Sequence, residues 1–191
     1  MNSDQTEIYN RVVNSVNNQL NGSTERLRWF VTGGAGVGKT FLFILLRNLI
    51  NRCYGKRVVN VGALTGVAAR LINGITLHAM LNQMRLLWRD IEYLFIEYLS
   101  EMLCMIDSRL KQLKNNNEPF GGINVLVFGD LMQLPPVRGN QVFSQPDNLQ
   151  PAINSWRLYT VVQMKKNMRQ QGDSTFIDIL NALRSELPDQ N

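Results

Sequence analysis

The sequence is poor in cysteine. Its 191 residues contain only Cys53 and Cys104, and neither belongs to a CxxC pair or a Cys/His cluster. This scarcity argues against a disulfide framework and against a zinc site of the usual ligand spacing. We therefore expect both to be buried thiols in a reducing compartment.

Long apolar runs and a secretion signal are also missing. The N-terminal residues, Met1-Asn2-Ser3-Asp4-Gln5, lack a basic region followed by an apolar one, and no apolar run approaches the ~18 residues of a membrane span. We expect a nuclear or cytoplasmic protein with no membrane partner.

Charged residues make up 18% of the chain and apolar residues 45%, a composition typical of a folded globular protein. Twenty Lys and Arg against fifteen Asp and Glu give a formal net charge of +5. A positive excess attracts polyanions such as nucleic acid, although the same charges also occur on ordinary solvated surfaces. The length suits one α/β domain.

The hydrophobic pattern alternates between helices and strands. Apolar residues recur every four positions from Ile8 to Leu20, which predicts a helix capped at Ser3-Asp4 and ended by the turn at residues 21–23. A second helix is predicted from Lys39 to about Cys53, and a last one from a cap near Asp173. Strands are predicted at residues 27–32, 57–64, 93–97, 124–128 and 159–164. Alternation of this kind predicts a parallel sheet flanked by helices on both faces.

One glycine-rich segment lies between the first strand and the second helix, namely Gly33-Gly34-Ala35-Gly36-Val37-Gly38-Lys39-Thr40. It matches G-x-x-x-x-G-K-[ST], the phosphate-binding loop of nucleoside triphosphatases. In such a loop the backbone N–H groups surround the phosphates, the lysine reaches the β- and γ-phosphates, and the hydroxyl of Thr40 binds Mg²⁺. The sequence therefore predicts ATP and Mg²⁺ as cofactors.

Three further segments follow in order along the chain. They are Ala63-Leu64-Thr65-Gly66-Val67-Ala68-Ala69 with Gly74-Ile75-Thr76-Leu77-His78, then Gly129-Asp130-Leu131-Met132-Gln133-Leu134-Pro135-Pro136-Val137, then Asn167-Met168-Arg169-Gln170. Taken singly, the first is open to a plainer interpretation, a strand-to-helix turn with a core-facing His78. The second is not explained as an exposed Pro-Pro loop, because its Gly-Asp follows a buried strand.

Together these segments resemble the PIF-type superfamily 1 DNA helicases, including those of Helitron transposons, over nearly the whole chain. The resemblance implies a RecA-like P-loop fold and an ATP-dependent 5′-to-3′ helicase acting in DNA repair, recombination and telomere maintenance. It implies that Thr65, Gly66 and His78 line a path for single-stranded DNA or DNA junctions. It assigns the γ-phosphate to Gln133 and Arg169, and the adenine edge to Gln5.

The chain departs from the family pattern after the third strand. Where the family has an Asp-Glu pair, this sequence has Glu97-Tyr98. Glu97 retains a carboxylate for Mg²⁺, but a phenol of pKa ~10 does not replace the general base. Glu101 is an alternative base, although in a helix it would lie about one turn away.

The family also requires a second RecA-like lobe, and we expect the 191 residues to form a single RecA-like domain without it. A fragment, a degenerate gene copy and one half of an assembly whose second lobe lies on another chain all remain open. So do two other functions: a hydrolysis-impaired module that binds ATP and single-stranded DNA, and a small nucleotide kinase, which would have no use for residues 129–137.

Overall fold

A computed structural model of the protein describes residues 1–97, 103–130 and 155–166. In this part of the chain a parallel β-sheet is flanked by α-helices. The helices are α1 (Ser3–Leu20), α2 (Lys39–Tyr54), α3 (Gly66–Leu71), α4 (Leu77–Leu81), α5 (Arg85–Trp88) and α6 (Leu103–Lys114). The strands are β1 (Arg28–Thr32), β2 (Val59–Ala63), β3 (Ile75–Thr76), β4 (Tyr93–Glu97), β5 (Asn124–Gly129) and β6 (Thr160–Gln163).

The sheet has the strand order β3-β2-β4-β5-β1-β6, and every neighbouring pair is parallel. The chain crosses from β1 to β2 through α2 and returns to the centre with β4 and β5. All strands therefore end at the same edge of the sheet, the carboxyl edge. In open parallel sheets ligands bind at this edge, beside the point where the strand order reverses.

The two faces of the sheet bury separate cores because alternate strand residues point to opposite sides. In β4, Phe95 packs on the face that α1 and α2 cover, whereas Leu94 and Ile96 pack on the face that α4 and α6 cover. The middle strands are buried on both faces, as parallel strands between two helix layers must be. The predicted parallel sheet with helices on both faces is confirmed.

The first helix begins one residue earlier than predicted. Its N-cap is Asn2, whose side chain accepts from the backbone N–H of Gln5 while the Gln5 side chain accepts from the backbone N–H of Asn2. This reciprocal capping box satisfies two N–H groups that the start of a helix leaves unpaired. The prediction of a cap at Ser3-Asp4 is thus wrong, and Asp4 is free to bond elsewhere.

The two cysteines differ in burial. Cys104 is buried on α6 as predicted, but Cys53 is exposed. The inward face of α2 consists of Leu42, Phe43, Leu46 and Ile50, and Cys53 lies beyond it in the last turn before Gly55 ends the helix. The prediction that Cys53 is buried is wrong.

The helix expected from a cap near Asp173 falls outside the described residues. Among the helices that the structure does describe, none is both long and apolar enough to cross a membrane.

Candidate nucleotide-binding site

The glycine-rich loop leaves the carboxyl end of β1 and enters α2. Gly36 and Gly38 adopt φ angles of 86° and 85°, a left-handed conformation that costs glycine little and other residues considerably more. Gly38 is the N-cap of α2 and offers no side-chain cap. Gly38 therefore leaves the backbone N–H groups in the first turn of α2 without a side-chain acceptor. A helix N-terminus with such N–H groups attracts anions such as phosphate.

The loop rests on two neighbouring segments. The side chain of Val37 is buried. A Cβ at Gly33 would come within 2.6 Å of the carbonyl oxygen of Met164, directly after β6. The space beside Gly38 is filled by the side-chain amide of Gln5. The loop can therefore follow this path only with glycine at positions 33 and 38.

Lys39 turns back toward its own loop. Its ammonium group donates to the carbonyl oxygen of Gly33 and, at 2.9 Å, to that of Gly34. The ammonium therefore lies over the loop, where a positive charge attracts phosphate. The next residue, Thr40, is exposed at the start of α2.

Glu97 ends β4 at the same edge, in register with Ala63 of β2 and Phe128 of β5. Burial raises the pKa of its carboxyl group, and the positive charge of Lys39 opposes that rise. Its Oε2 atom is buried and has no hydrogen-bond partner among the described residues. A buried carboxylate oxygen that lacks a hydrogen-bond partner in the described part of the chain, within reach of the positive charge of Lys39, fits a Mg²⁺ ion, which prefers oxygen ligands.

Gln5 packs against the loop and is only 3% exposed to solvent. Its Nε2 atom donates to the carbonyl oxygen of Val37 at 3.1 Å, and its Oε1 accepts from Asn2. The structure thus brings Gln5, the loop, Lys39 and Glu97 to one region of the sheet edge. The capping-box pattern Asn2-x-x-Gln5 was a signal in the sequence for the bonds between Asn2 and Gln5, whereas nothing in the sequence pointed to the bond from Gln5 to Val37.

The residues assigned to DNA lie at the same edge, on the side of β2 and β3. Thr65 follows β2 and caps α3, where its hydroxyl accepts from the N–H of Ala68 at 3.2 Å, and Gly66 begins that helix. His78 lies on α4, exposed, with Nε2 3.2 Å from Nδ2 of Asn82. The core-facing interpretation of His78 is therefore wrong.

Several sequence assignments lie outside the described residues, namely Tyr98, Glu101, Gln133 and Arg169. The segment that leads toward Gln133 is described as far as Asp130. Gly129 ends β5 in register with Thr32, the last residue of β1 before the loop. The Gly129-Asp130 pair therefore starts beside the phosphate loop.

One contact near the site was not predicted. The carboxylate of Asp4 accepts from the backbone N–H groups of Lys165 and Lys166, at 2.8 and 3.1 Å. No sequence signal points to this pairing, since the partners are backbone groups more than 160 residues away.

A parallel sheet of this order, with a glycine loop between β1 and α2 and a carboxylate at the end of β4, defines a RecA-like P-loop fold. A sequence model of the PIF1-like helicase family matches residues 1–97 and 84–185. The chain belongs to the PIF1-like helicase family, as the motifs predicted.

Individual relatives agree with this assignment. The chain is 31% identical over 180 residues to the ATP-dependent DNA helicase PIF1 of Saccharomyces cerevisiae (strain YJM789), covering 81% of this chain and 21% of that protein. It is 30% identical over 178 residues to human ATP-dependent DNA helicase PIF1, covering 81% of this chain and 27% of that protein.

The structure is similar to solved structures of this family. The crystal structure of Pif1 helicase from Candida albicans matches with a TM-score of 0.76 and 29% identity, covering 99% of this chain and 45% of that one. Pif1 helicase from Bacteroides in complex with ADP-AlF3 and ssDNA matches with a TM-score of 0.72 and 27% identity, covering 96% and 46%. The chain thus spans under half of the solved relatives and about a quarter of the human one.

Proposed function

We propose that this chain is the ATP-binding lobe of a PIF-type, ATP-dependent 5′-to-3′ DNA helicase. The observation that carries the proposal is the convergence of the phosphate loop, Lys39 and Glu97 at the carboxyl edge of the sheet. The Bacteroides relative with ADP-AlF3 and ssDNA supports a nucleotide and single-stranded DNA as ligands. The family roles in DNA repair, recombination and telomere maintenance follow from the resemblance.

The nucleotide is held mainly by the loop. The backbone from Gly33 to Gly38 surrounds the phosphates, and the ammonium of Lys39 exchanges the carbonyls of Gly33 and Gly34 for phosphate oxygens. Thr40 and Glu97 are the candidates to hold Mg²⁺, which when bound neutralises phosphate charge. Gln133 and Arg169, which lie outside the described residues, are proposed to contact the γ-phosphate, and Gln5 to read the adenine edge.

Single-stranded DNA is proposed to pass over the start of α3 and α4. Thr65, Gly66 and His78 are exposed there, and the exposed Arg70 adds positive charge to the same helix. Thr76, the residue that caps α4, is in register with the last residue of β2. Both helices therefore begin at the edge that holds the nucleotide loop, so DNA and ATP would contact one continuous side of the sheet.

Hydrolysis by this chain should be slow. Tyr98 takes the position at which the family has the general base, and the loss of a positioned base costs roughly 10²–10⁴ in rate. The phosphate loop does not depend on that residue, so ATP affinity should be retained. Productive unwinding further needs a second RecA-like lobe, because two lobes must close and open around ATP.

ATP turnover with and without single-stranded DNA tests the proposal. We expect ATP binding and weak, DNA-stimulated turnover, both abolished by Lys39→Ala and unchanged by Lys56→Ala, a control at an exposed lysine paired with Asp90. Tyr98→Glu should raise turnover with little change in ATP affinity. An inert wild type that gains turnover with Tyr98→Glu would show a binding-only protein, and transfer of phosphate to a small acceptor without a DNA response would show a kinase.

A further inference from the structure

The first turn of α1 binds the chain that leaves β6. Both backbone N–H groups of Lys165 and Lys166 donate to the same oxygen, Oδ2 of Asp4, at 2.8 and 3.1 Å. The side chain of Asn2 adds a longer bond of 3.4 Å to the carbonyl oxygen of Lys166. These backbone donors hold the pKa of the Asp4 carboxyl below its ordinary value. Hydrogen bonds to an ionised acceptor are the stronger kind.

The same turn also binds the phosphate loop. Gln5, the residue after Asp4, donates from Nε2 to the carbonyl oxygen of Val37 at 3.1 Å. Its amide nitrogen lies where a Cβ at Gly38, the N-cap of α2, would project. Asn2 locks this arrangement, since it exchanges two hydrogen bonds with Gln5.

The third side of the arrangement joins the exit of β6 to the loop. The N–H of Met164 donates to the carbonyl oxygen of Thr32 at 2.8 Å. The carbonyl oxygen of Met164 lies against Gly33, where a Cβ would approach it to 2.6 Å. The start of α1, the phosphate loop and the exit of β6 therefore brace one another in a closed set of contacts.

We propose that Asp4 is a positioning residue for nucleotide binding, which fixes the exit of β6 to the first turn of α1 and thereby holds the phosphate loop in its binding form. The proposal rests on the proposed ATP-binding function of that loop. A glycine-rich loop has much conformational freedom, and ordering it at the moment of binding costs affinity. A brace that orders the loop beforehand reduces that cost without any contact between Asp4 and the nucleotide.

Binding of Mg²⁺-ATP to the 191-residue chain, measured by calorimetry well below the thermal midpoint, tests this role. We expect Asp4→Ala to raise the Kd about fivefold, which is about 1 kcal/mol. Asp4→Asn keeps an acceptor oxygen at the same place and should restore most of the affinity. Glu7→Ala, on the same helix but exposed and paired with Arg11, is the matched control and should bind as wild type.

A second pair of variants separates the brace from the charge at the helix end. A negative charge in the first turn of a helix is favourable by itself. Ser3→Asp in the Asp4→Ala background returns that charge one position away, so the Kd should stay raised. The effects of Asp4→Ala and Gln5→Ala on the Kd should be less than additive, because both residues belong to the one set of contacts that holds the loop.

Two results would overturn the proposal and leave the proposed ATP binding in place. One is a lowered thermal midpoint for Asp4→Ala with an unchanged Kd, which would make Asp4 purely structural. Another is full rescue by Ser3→Asp. In both cases, ATP binding by the wild type that Lys39→Ala abolishes would show that the role of Asp4 alone is refuted. A wild type that binds no ATP would refute the proposed function together with this inference.

Discussion

The side-chain amide of Gln5 occupies the space into which a Cβ at position 38 would project. Gly38 also has a φ of 85°, so two separate physical reasons require glycine there. One is backbone strain, and the other is contact with the buried first turn of α1. The phosphate loop is therefore shaped by α1, whose contacting residue Gln5 precedes Val37 of the loop by 32 residues.

Alanine substitutions at Gly38 and at a control glycine separate the effect of backbone strain from the effect of the contact with Gln5. Gly38→Ala combines a strained φ, which costs roughly 1–3 kcal/mol, with displacement of Gln5 from the loop, so we expect ATP binding to be lost. Gly22→Ala is a matched control, because Gly22 has a φ of 98° with nothing within 4 Å of the added Cβ. It should lower stability by a similar strain and leave the ATP Kd unchanged. Equal ATP affinities of both variants would contradict this account.

The burial of Glu97 predicts a pH-dependent stability. Its pKa is raised above the ordinary 4.5 in the folded chain, so the folded state binds the proton more tightly than the unfolded state. Stability is therefore lost as the pH rises from about 4.5 through the folded pKa. Glu97→Gln removes this effect and should raise the thermal midpoint at pH 7, with the gain shrinking below pH ~4.5.

The control for Glu97 is Glu7→Gln, which alters an exposed carboxylate on α1 and should shift the midpoint little at either pH. Lys39→Met should increase the gain from Glu97→Gln, because the charge of Lys39 opposes the rise in the pKa. A midpoint for Glu97→Gln that is raised equally at pH 4 and pH 7 would show that packing, and not charge, is responsible.

Lys114 should stabilise the fold away from the proposed nucleotide site, through its contacts with residues 88–91. Its half-buried ammonium donates to the carbonyl oxygens of Trp88, Arg89 and Ile91 at 3.1, 3.1 and 2.9 Å, at the end of α5 and before β4. Burial lowers its pKa, so the cost of desolvation offsets part of the gain. Lys114→Met should lower the free energy of unfolding by about 1–3 kcal/mol, since it leaves carbonyls unpaired.

Chemical denaturation measures that loss, and ATP titration should show an unchanged Kd. Lys56→Met is the matched control, because the pair of Lys56 with Asp90 at 3.0 Å is exposed and solvent screens it, so its loss should change stability little. Similar stabilities of the two variants would indicate that the three carbonyls are satisfied equally well by water.

The periodicity of apolar residues and the spacing of the motifs were sufficient to predict most of the described helices and strands. The strand predicted at residues 93–97 matches β4, and the one predicted at 57–64 is shortened to Val59–Ala63. The sequence could predict these strands because a buried parallel strand is apolar along nearly its whole length. The N-cap was assigned to the wrong residue because Ser3, Asp4 and Asn2 are all good caps, and only the bonds of Asn2 with Gln5 distinguish them.

The sequence by itself determined the family, the phosphate loop and the departure at Tyr98, because each depends on residues that are close together in the chain. Only the tertiary structure decided that Asp4 bonds to Lys165 and Lys166, that Gln5 contacts Val37, and that Cys53 is exposed. Those facts depend on how distant segments meet around a parallel sheet. The bonds of Asp4 go to backbone N–H groups, which every residue except proline carries. No pattern of side chains could therefore have predicted them.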